Sequence, residues 1–190
     1  MEEKIVDNKK VLVPVVYLAI INLKNMTDGA KIVADNYLSI TAKNDVTNQG
    51  LLSSNRNTNI QASNITNQGG TINSAKDISL NATNNIDNIS GNIKAANDVN
   101  LIAKNDINIK TAQIEKNYNY GSGYENVTTK GQTSTIQAGG NVTADAGNSV
   151  TLTGAKIDAN KDVLLTASNG KVAIDSIETN SDYNFNLHNG

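Results

Sequence analysis

The 190-residue chain has no cysteine and no tryptophan, and only one phenylalanine, one proline (Pro14), one histidine (His188) and one arginine (Arg56). Each shortage closes off a class of explanation. Without thiols there is no disulfide framework, thiolate zinc site or cysteine nucleophile. A lone His and a lone Arg leave little for acid–base or phosphate chemistry, and neither a cofactor site nor a metal site is expected. Aromatics make up 4% of the chain, so a core built around large rings is excluded. Lys and Arg total 16 against 18 Asp and Glu, a net charge of -2 with no basic cluster; nucleic acid is not an expected partner. The longest apolar run, VLVPVVYLAII at 11–21, is broken by Pro14. It falls well short of the roughly 20 residues needed to cross a bilayer, and no membrane span is expected.

What the chain has instead is 32 Asn, 20 Ile, 18 Ala and 17 Thr. Abundant Asn suggests disorder, whereas low net charge and many β-branched residues argue for a packed core. Their order decides between the two, because the sequence repeats. Segments beginning at Gly29, Gly50, Gly70 and Gly91 align on Ala42, Ala62, Ala82 and Ala103, spaced 20, 20 and 21. Two positions earlier stand Ile40, Ile60, Leu80 and Leu101; two positions later stand Asn44, Asn64, Asn84 and Asn105. Val46, Ile65, Ile86 and Ile107 form a further column, and Asn48, Asn67 and Asn88 another in the first three copies. The pattern resumes downstream, where Ile136, Val142, Ala144, Ala146 and Asn148 match Ile157, Val163, Leu165, Ala167 and Asn169, each 21 apart.

Within each copy apolar and polar residues alternate, which is the signature of strands. Short strands at a fixed period of 20 to 21 predict an all-β fold, a right-handed parallel β-helix in which one coil is one repeat and identical columns touch along the axis. Ile40, Ile60, Leu80 and Leu101 then form an aliphatic ladder inside. Ala42, Ala62, Ala82 and Ala103 fill the narrow part of the bore. Asn44, Asn64, Asn84 and Asn105 sit at a corner, where Asn tolerates left-handed backbone and stacked amides can bond along the axis. Roughly eight coils at about 4.8 Å each are expected, and open ends of such a stack invite association.

The organisation follows from where the period holds. Residues 1–28 form an N-terminal segment with one or two buried strands and a break at Pro14; its acidic leader (Glu2, Glu3, Asp7) argues against an export signal. Repeats run over 29–112 and 136–178. Between them, 113–135 is a Tyr- and Gly-rich excursion holding Tyr118, Tyr120 and Tyr124. It reads either as an adaptable interaction surface or as a β-hairpin covering a seam. The 43 residues from Ala103 to Ala146 suggest two coils, one of them degenerate. Residues 179–190 read as a polar tail.

A catalytic solenoid would need converging carboxylates. Asp77, Asp98 and Asp162 recur just before inward aliphatics, at one corner of the coil, and neighbouring Lys76, Asn97 and Lys161 mark that corner as a solvated turn. Calcium-binding nonapeptides are absent, since Gly139-Gly140 is followed by Asn141-Val142. An enzyme is not expected, although a carbohydrate-active β-helix, a polysaccharide lyase or hydrolase, remains the alternative.

The leading KVLVPVVYLA at 10–19, the coils NITNQGG (64–70), NNIDNISG (84–91) and DVNLIAKNDINI (98–109), and the later AGGNVTADAGNSVTLTGAKIDANKDVLLTA resemble the filamentous haemagglutinin family over about residues 10–176. More narrowly they are similar to the haemagglutinin repeats of two-partner-secreted exoproteins, including contact-dependent growth inhibition effectors. The resemblance implies a piece of a larger Gram-negative surface or secreted exoprotein, a shaft that mediates cell contact or displays an adhesin or toxin module. The partners it implies are a receptor or glycan on a host or neighbouring cell, the rest of the exoprotein, and an outer-membrane transporter reached through a secretion domain that this sequence does not show.

Overall fold

The computed structural model describes residues 2–6, 9–13, 29–119 and 123–185. β1 (Glu2–Val6) and β2 (Lys9–Val13) form a small antiparallel pair. Pro14 and the segment to residue 28 lie outside the described residues.

From Lys31 the chain winds through three short strands per coil. The first face stacks β3 (Lys31–Ala34), β6 (Leu51–Ser54), β9 (Thr71–Ser74), β12 (Asn92–Ala95), β17 (Thr135–Ala138) and β20 (Lys156–Ala159). The second stacks β4 (Leu38–Thr41), β7 (Thr58–Ala62), β10 (Ile78–Ala82), β13 (Val99–Ala103), β18 (Val142–Ala146) and β21 (Val163–Ala167). The third stacks β5 (Asp45–Asn48), β8 (Asn64–Gln68), β11 (Ile86–Ile89), β14 (Ile107–Lys110), β19 (Val150–Thr153) and β22 (Val172–Asp175). Every pairing within these faces is parallel, so the fold is an all-β parallel solenoid. Among the described residues the stack is six strands deep on each face, where roughly eight coils were expected.

Alternation accounts for the core. On the second face the first, third and fifth residues of β7, β10, β13 and β18 point inward and are buried, while the residues between them face out. Ile60, Leu80 and Leu101 have 0% exposure. Inward Ile65, Ile72, Ile86, Ile93, Ile107 and Ile136 close the bore from the other two faces. Among the described residues no aromatic side chain belongs to this core. Three strands converging on a narrow centre leave room for Ile, Leu, Val and Ala, and β-branched residues suit the pleated surface.

The excursion is one antiparallel sheet. β15 (Gln113–Asn119) pairs with β16 (Gly123–Lys130), and β16 pairs in turn with β23 (Asn180–Phe185). Two expectations are corrected here. β13 stacks directly on β18, with Leu101 against Ala144, so the 43 residues between Ala103 and Ala146 hold one coil and a hairpin, not two coils. The segment read as a polar tail supplies the third strand of that sheet; its alternating NSDYNF suits a strand paired on one side. His188 lies outside the described residues.

Candidate functional site

The columns read from the sequence can be placed by the strand register. Ile40 stacks on Ile60, Ile60 on Leu80, and Leu80 on Leu101, and the column continues through Ala144 to Leu165. Ala62, Ala82 and Ala103 stack in the same way and run on through Ala146 to Ala167. Ala42 follows the end of β4 and is half-buried against the core; among the described residues the first coil has a neighbouring strand on one side only.

The asparagines divide into two sets. Asn44, Asn84 and Asn105 lie at exposed corners, where the Asn105 N–H donates to the Asn84 carbonyl at 2.9 Å. Asn64 leaves that column. The chain from Ala62 to Ile65 is one residue shorter than from Ala42 to Val46 or Ala82 to Ile86, so Ser63 occupies the corner and Asn64 begins β8. Its Nδ2 donates to Asp45 Oδ1 at 2.7 Å. The amides bonded along the axis belong to the other set. Asn48 Nδ2 donates to Asn67 Oδ1 at 2.8 Å, Asn67 Nδ2 to Asn88 Oδ1 at 2.7 Å, and Asn88 Nδ2 to Ser134 Oγ at 2.8 Å. All four side chains are buried. Gly50, Gly70 and Gly91 follow this ladder in the sequence, and at Gly70 and Gly91 its amides crowd the position of a Cβ. A Cβ at Gly70 would meet Asn48 Nδ2 at 2.5 Å and Asn67 Oδ1 at 2.7 Å, so the amides occupy the space a side chain would need.

The acidic corner behaves as a turn. Asp77, Asp98, Asn141 and Asp162 stack there, each carbonyl accepting the first N–H of a second-face strand one coil back. Asp98 Oδ1 accepts from the Asn141 N–H at 2.6 Å and from Asn141 Nδ2 at 3.2 Å. Among the described residues no three His, Cys, Asp or Glu side chains come together as a metal site.

Of the tyrosines, the register sets Tyr118 opposite Glu125 and Asn119 opposite Tyr124. Opposed residues share a face and successive residues alternate, so Tyr118 and Tyr124 project from opposite faces of the sheet. They do not form one shared patch, and Tyr120 lies outside the described residues. Tyr118 is on the side of Ile114 and Val127; the other side carries Gln113, Glu115 and Asn117. An open groove of about 700 Å³ runs where this sheet leaves the solenoid, lined by Lys110, Thr111, Gln113, Glu115, Thr153 and Glu178 among others. One wall is fixed by Gln113 Nε2, which donates to the Glu178 carbonyl at 2.9 Å.

The remaining surface is the outside of the faces themselves. On the second face Ser39, Asn59, Ser79, Asn100 and Thr143 form one outward row, and Gln61, Asn81, Ile102 and Asp145 form another. Such rows offer hydroxyls, amides and the Asp145 carboxylate to a ligand.

A family model described as Haemagglutinin repeat matches residues 33–90 and 88–135, and a second, described as Hemagglutinin repeat, matches 113–190. The chain belongs to the haemagglutinin-repeat family. The first model spans the coils from β3 to β14 and also β15 and β16, and the second spans the antiparallel sheet and the coils after it. Haemagglutinin repeats of this kind are structural units of larger exoproteins, and the solenoid fits such a shaft. No curated protein and no solved structure matches the chain. No helix among the described residues is long and apolar enough to cross a membrane.

Proposed function

We propose that this chain is a length of shaft in a secreted or surface exoprotein of a Gram-negative bacterium, and that the shaft mediates cell contact or carries an adhesin or toxin module outward. One observation carries the reading: three parallel sheets share a single aliphatic core with in-register columns running from the first coil to the last. Such a body keeps its cross-section constant and transmits length, which is what a spacer needs. Adhesion would use the hydroxyl and amide rows of the flat faces or the antiparallel sheet, with a receptor or glycan of a host or neighbouring cell as partner. Export through an outer-membrane transporter of the two-partner type, and a contact-dependent growth inhibition role, belong to the same reading. For a carbohydrate-active enzyme the acidic column offers little, since the Asp77 and Asp98 carboxylates accept turn hydrogen bonds.

The test is adherence. Beads coated with the full chain are expected to be retained on epithelial or bacterial monolayers above beads coated with an unrelated β-solenoid. Equal retention of both would remove the adhesive part of the reading.

A further inference from the structure

The corner between β21 and β22 is built differently from the corners it stacks on. Ala167 pairs with Ala146 and Val172 with Val150, yet the chain between the first two is one residue longer. The added residue is Gly170, and it follows the corner asparagine, Asn169. In three earlier coils the residue after the corner position has its N–H tied to a side-chain oxygen one coil back. Asn85 N–H donates to Asn64 Oδ1 at 3.3 Å, Asp106 N–H to Asn85 Oδ1 at 3.1 Å, and Ser149 N–H to Asp106 Oδ1 at 3.0 Å. After β21 that role passes to Lys171, whose N–H donates to Ser149 Oγ at 3.3 Å. The Gly170 N–H is left without a partner among the described residues. Asn169 and Gly170 are both exposed. Glycine is required there, because a Cβ would collide with Ser149 Oγ and lie 2.7 Å from the Asn148 carbonyl oxygen.

We propose that Asn169 is a site of self-modification, where the main chain closes on the side chain and the amide becomes a carboxylate. The Gly170 nitrogen attacks Asn169 Cγ and forms a new N–C bond. The Cγ–Nδ2 bond breaks, and Nδ2 leaves as ammonia with the proton given up by the Gly170 nitrogen. Water then opens the five-membered imide. Its hydroxyl adds to one of the two carbonyl carbons, its proton returns to the nitrogen, and an aspartyl or isoaspartyl residue results. Nothing is oxidised or reduced, and water is the one co-reactant. Glycine leaves the attacking nitrogen unhindered and lets the backbone turn toward the side chain. The corner one coil back shows the contrast. Asn148 Nδ2 and the Ser149 N–H both donate to Asp106 Oδ1, at 2.7 and 3.0 Å, so leaving group and nucleophile are clamped together. At Asn169 only the leaving group is held, with Nδ2 donating to the Gly147 carbonyl at 2.7 Å. Conversion removes that donor and sets a carboxylate against the carbonyl, which repels it. The isoaspartyl product also lengthens the main chain just before β22. The attachment of β22 therefore loosens as the protein ages. This chemistry belongs to the chain itself and stands apart from whether its faces adhere to cells.

The experiment is to age the folded full chain in mildly alkaline buffer and map it by tryptic digestion and mass spectrometry. Cleavage after Lys161 and Lys171 isolates residues 162–171, in which Asn169 is the one Asn or Gln. That peptide is expected to gain the mass difference between an amide and an acid and to split into two chromatographic forms. The gain should be several-fold faster than in peptide 105–110, which holds Asn105, and should vanish in Asn169→Gln. Hydroxylamine, which attacks the imide, is expected to cut the ageing chain after Asn169. Hydrogen exchange of β22 should rise in the aged chain and in Asn169→Asp, and stay at the starting level in aged Asn169→Gln. The proposal fails if peptide 162–171 keeps its mass in the folded chain, or if peptide 105–110 converts as fast. Unchanged exchange of β22 in the converted chain would overturn the loosening.

Discussion

Asn67 donates its side-chain amide to Asn88 Oδ1 at 2.7 Å across one coil, and neither side chain is more than 1% exposed. Asn67 also accepts from Asn48 Nδ2, so one residue serves as acceptor toward the coil before and donor toward the coil after. Each amide has a second contact to a backbone carbonyl, that of Thr71 for Asn48 and Asn92 for Asn67. No buried side-chain polar atom lacks a partner among the described residues. A polar column inside a narrow apolar bore is stable under that condition, because an unsatisfied buried group forfeits its hydration without return.

Asn67→Ala should therefore destabilise the solenoid by about 2–3 kcal/mol, since it strands a donor on Asn48 and an acceptor on Asn88. Asn44→Ala, at an exposed corner, should stay within about 0.5 kcal/mol of the parent. Urea unfolding midpoints check both. Equal losses would mean that the buried column and the corner contribute alike.

Leu80→Ala opens a cavity beneath Ile60 and Leu101 in a column with 0% exposure and should cost about 3 kcal/mol. Ile40→Ala, in the half-buried first coil, should cost clearly less. Hydrogen exchange is the companion measurement: in a stack of nearest-neighbour interfaces the Leu80 variant should open at the middle coils, and the Ile40 variant should fray from one end.

Two glycines separate crowding from backbone strain. A Cβ at Gly91 would collide with Asn67 Nδ2, and would lie 2.5 Å from Asn88 Oδ1 and 2.7 Å from the Asn67 carbonyl. Gly69 faces open space but has φ of 67°. Gly69→Ala should cost about 1 kcal/mol for the left-handed backbone, and Gly91→Ala should cost about 2–3 kcal/mol because the ladder must shift. A reversal of that order in thermal melts would contradict the packing of the amide column.

Tyr118 and Tyr124 are 43% and 49% exposed on a sheet that stands off the solenoid core. Replacing Tyr118, Tyr120 and Tyr124 by Ala should change solenoid stability by less than about 1 kcal/mol. Loss of the cooperative melt would place that sheet within the folding unit.

Much of this architecture is legible in one dimension because a parallel stack brings residues one period apart into contact. Leu80 and Leu101 are 21 residues apart in the chain and directly paired in the sheets, so the aliphatic and alanine columns can be read by counting. The same counting misplaced Asn64. One missing residue between Ala62 and Ile65 moves the corner to Ser63, and a fixed offset from Ala62 cannot register a shortened turn. The axial amide ladder was visible as a column of Asn48, Asn67 and Asn88. Which asparagines point inward depends on corner geometry, however, and corners carry no alternation to count.

Period, strand type and the small aliphatic core follow from local order, since alternation chooses the face of each strand and repetition chooses its neighbour. The antiparallel sheet is a different matter. β23 meets β16 across more than fifty residues, with Ser181 Oγ donating to Glu125 Oε1 at 3.3 Å, and no repeat links the two segments. Pairing of that kind is settled by where the folded solenoid delivers its chain ends. It turns a polar-looking tail into a strand, separates Tyr118 from Tyr124, and leaves the last coil open.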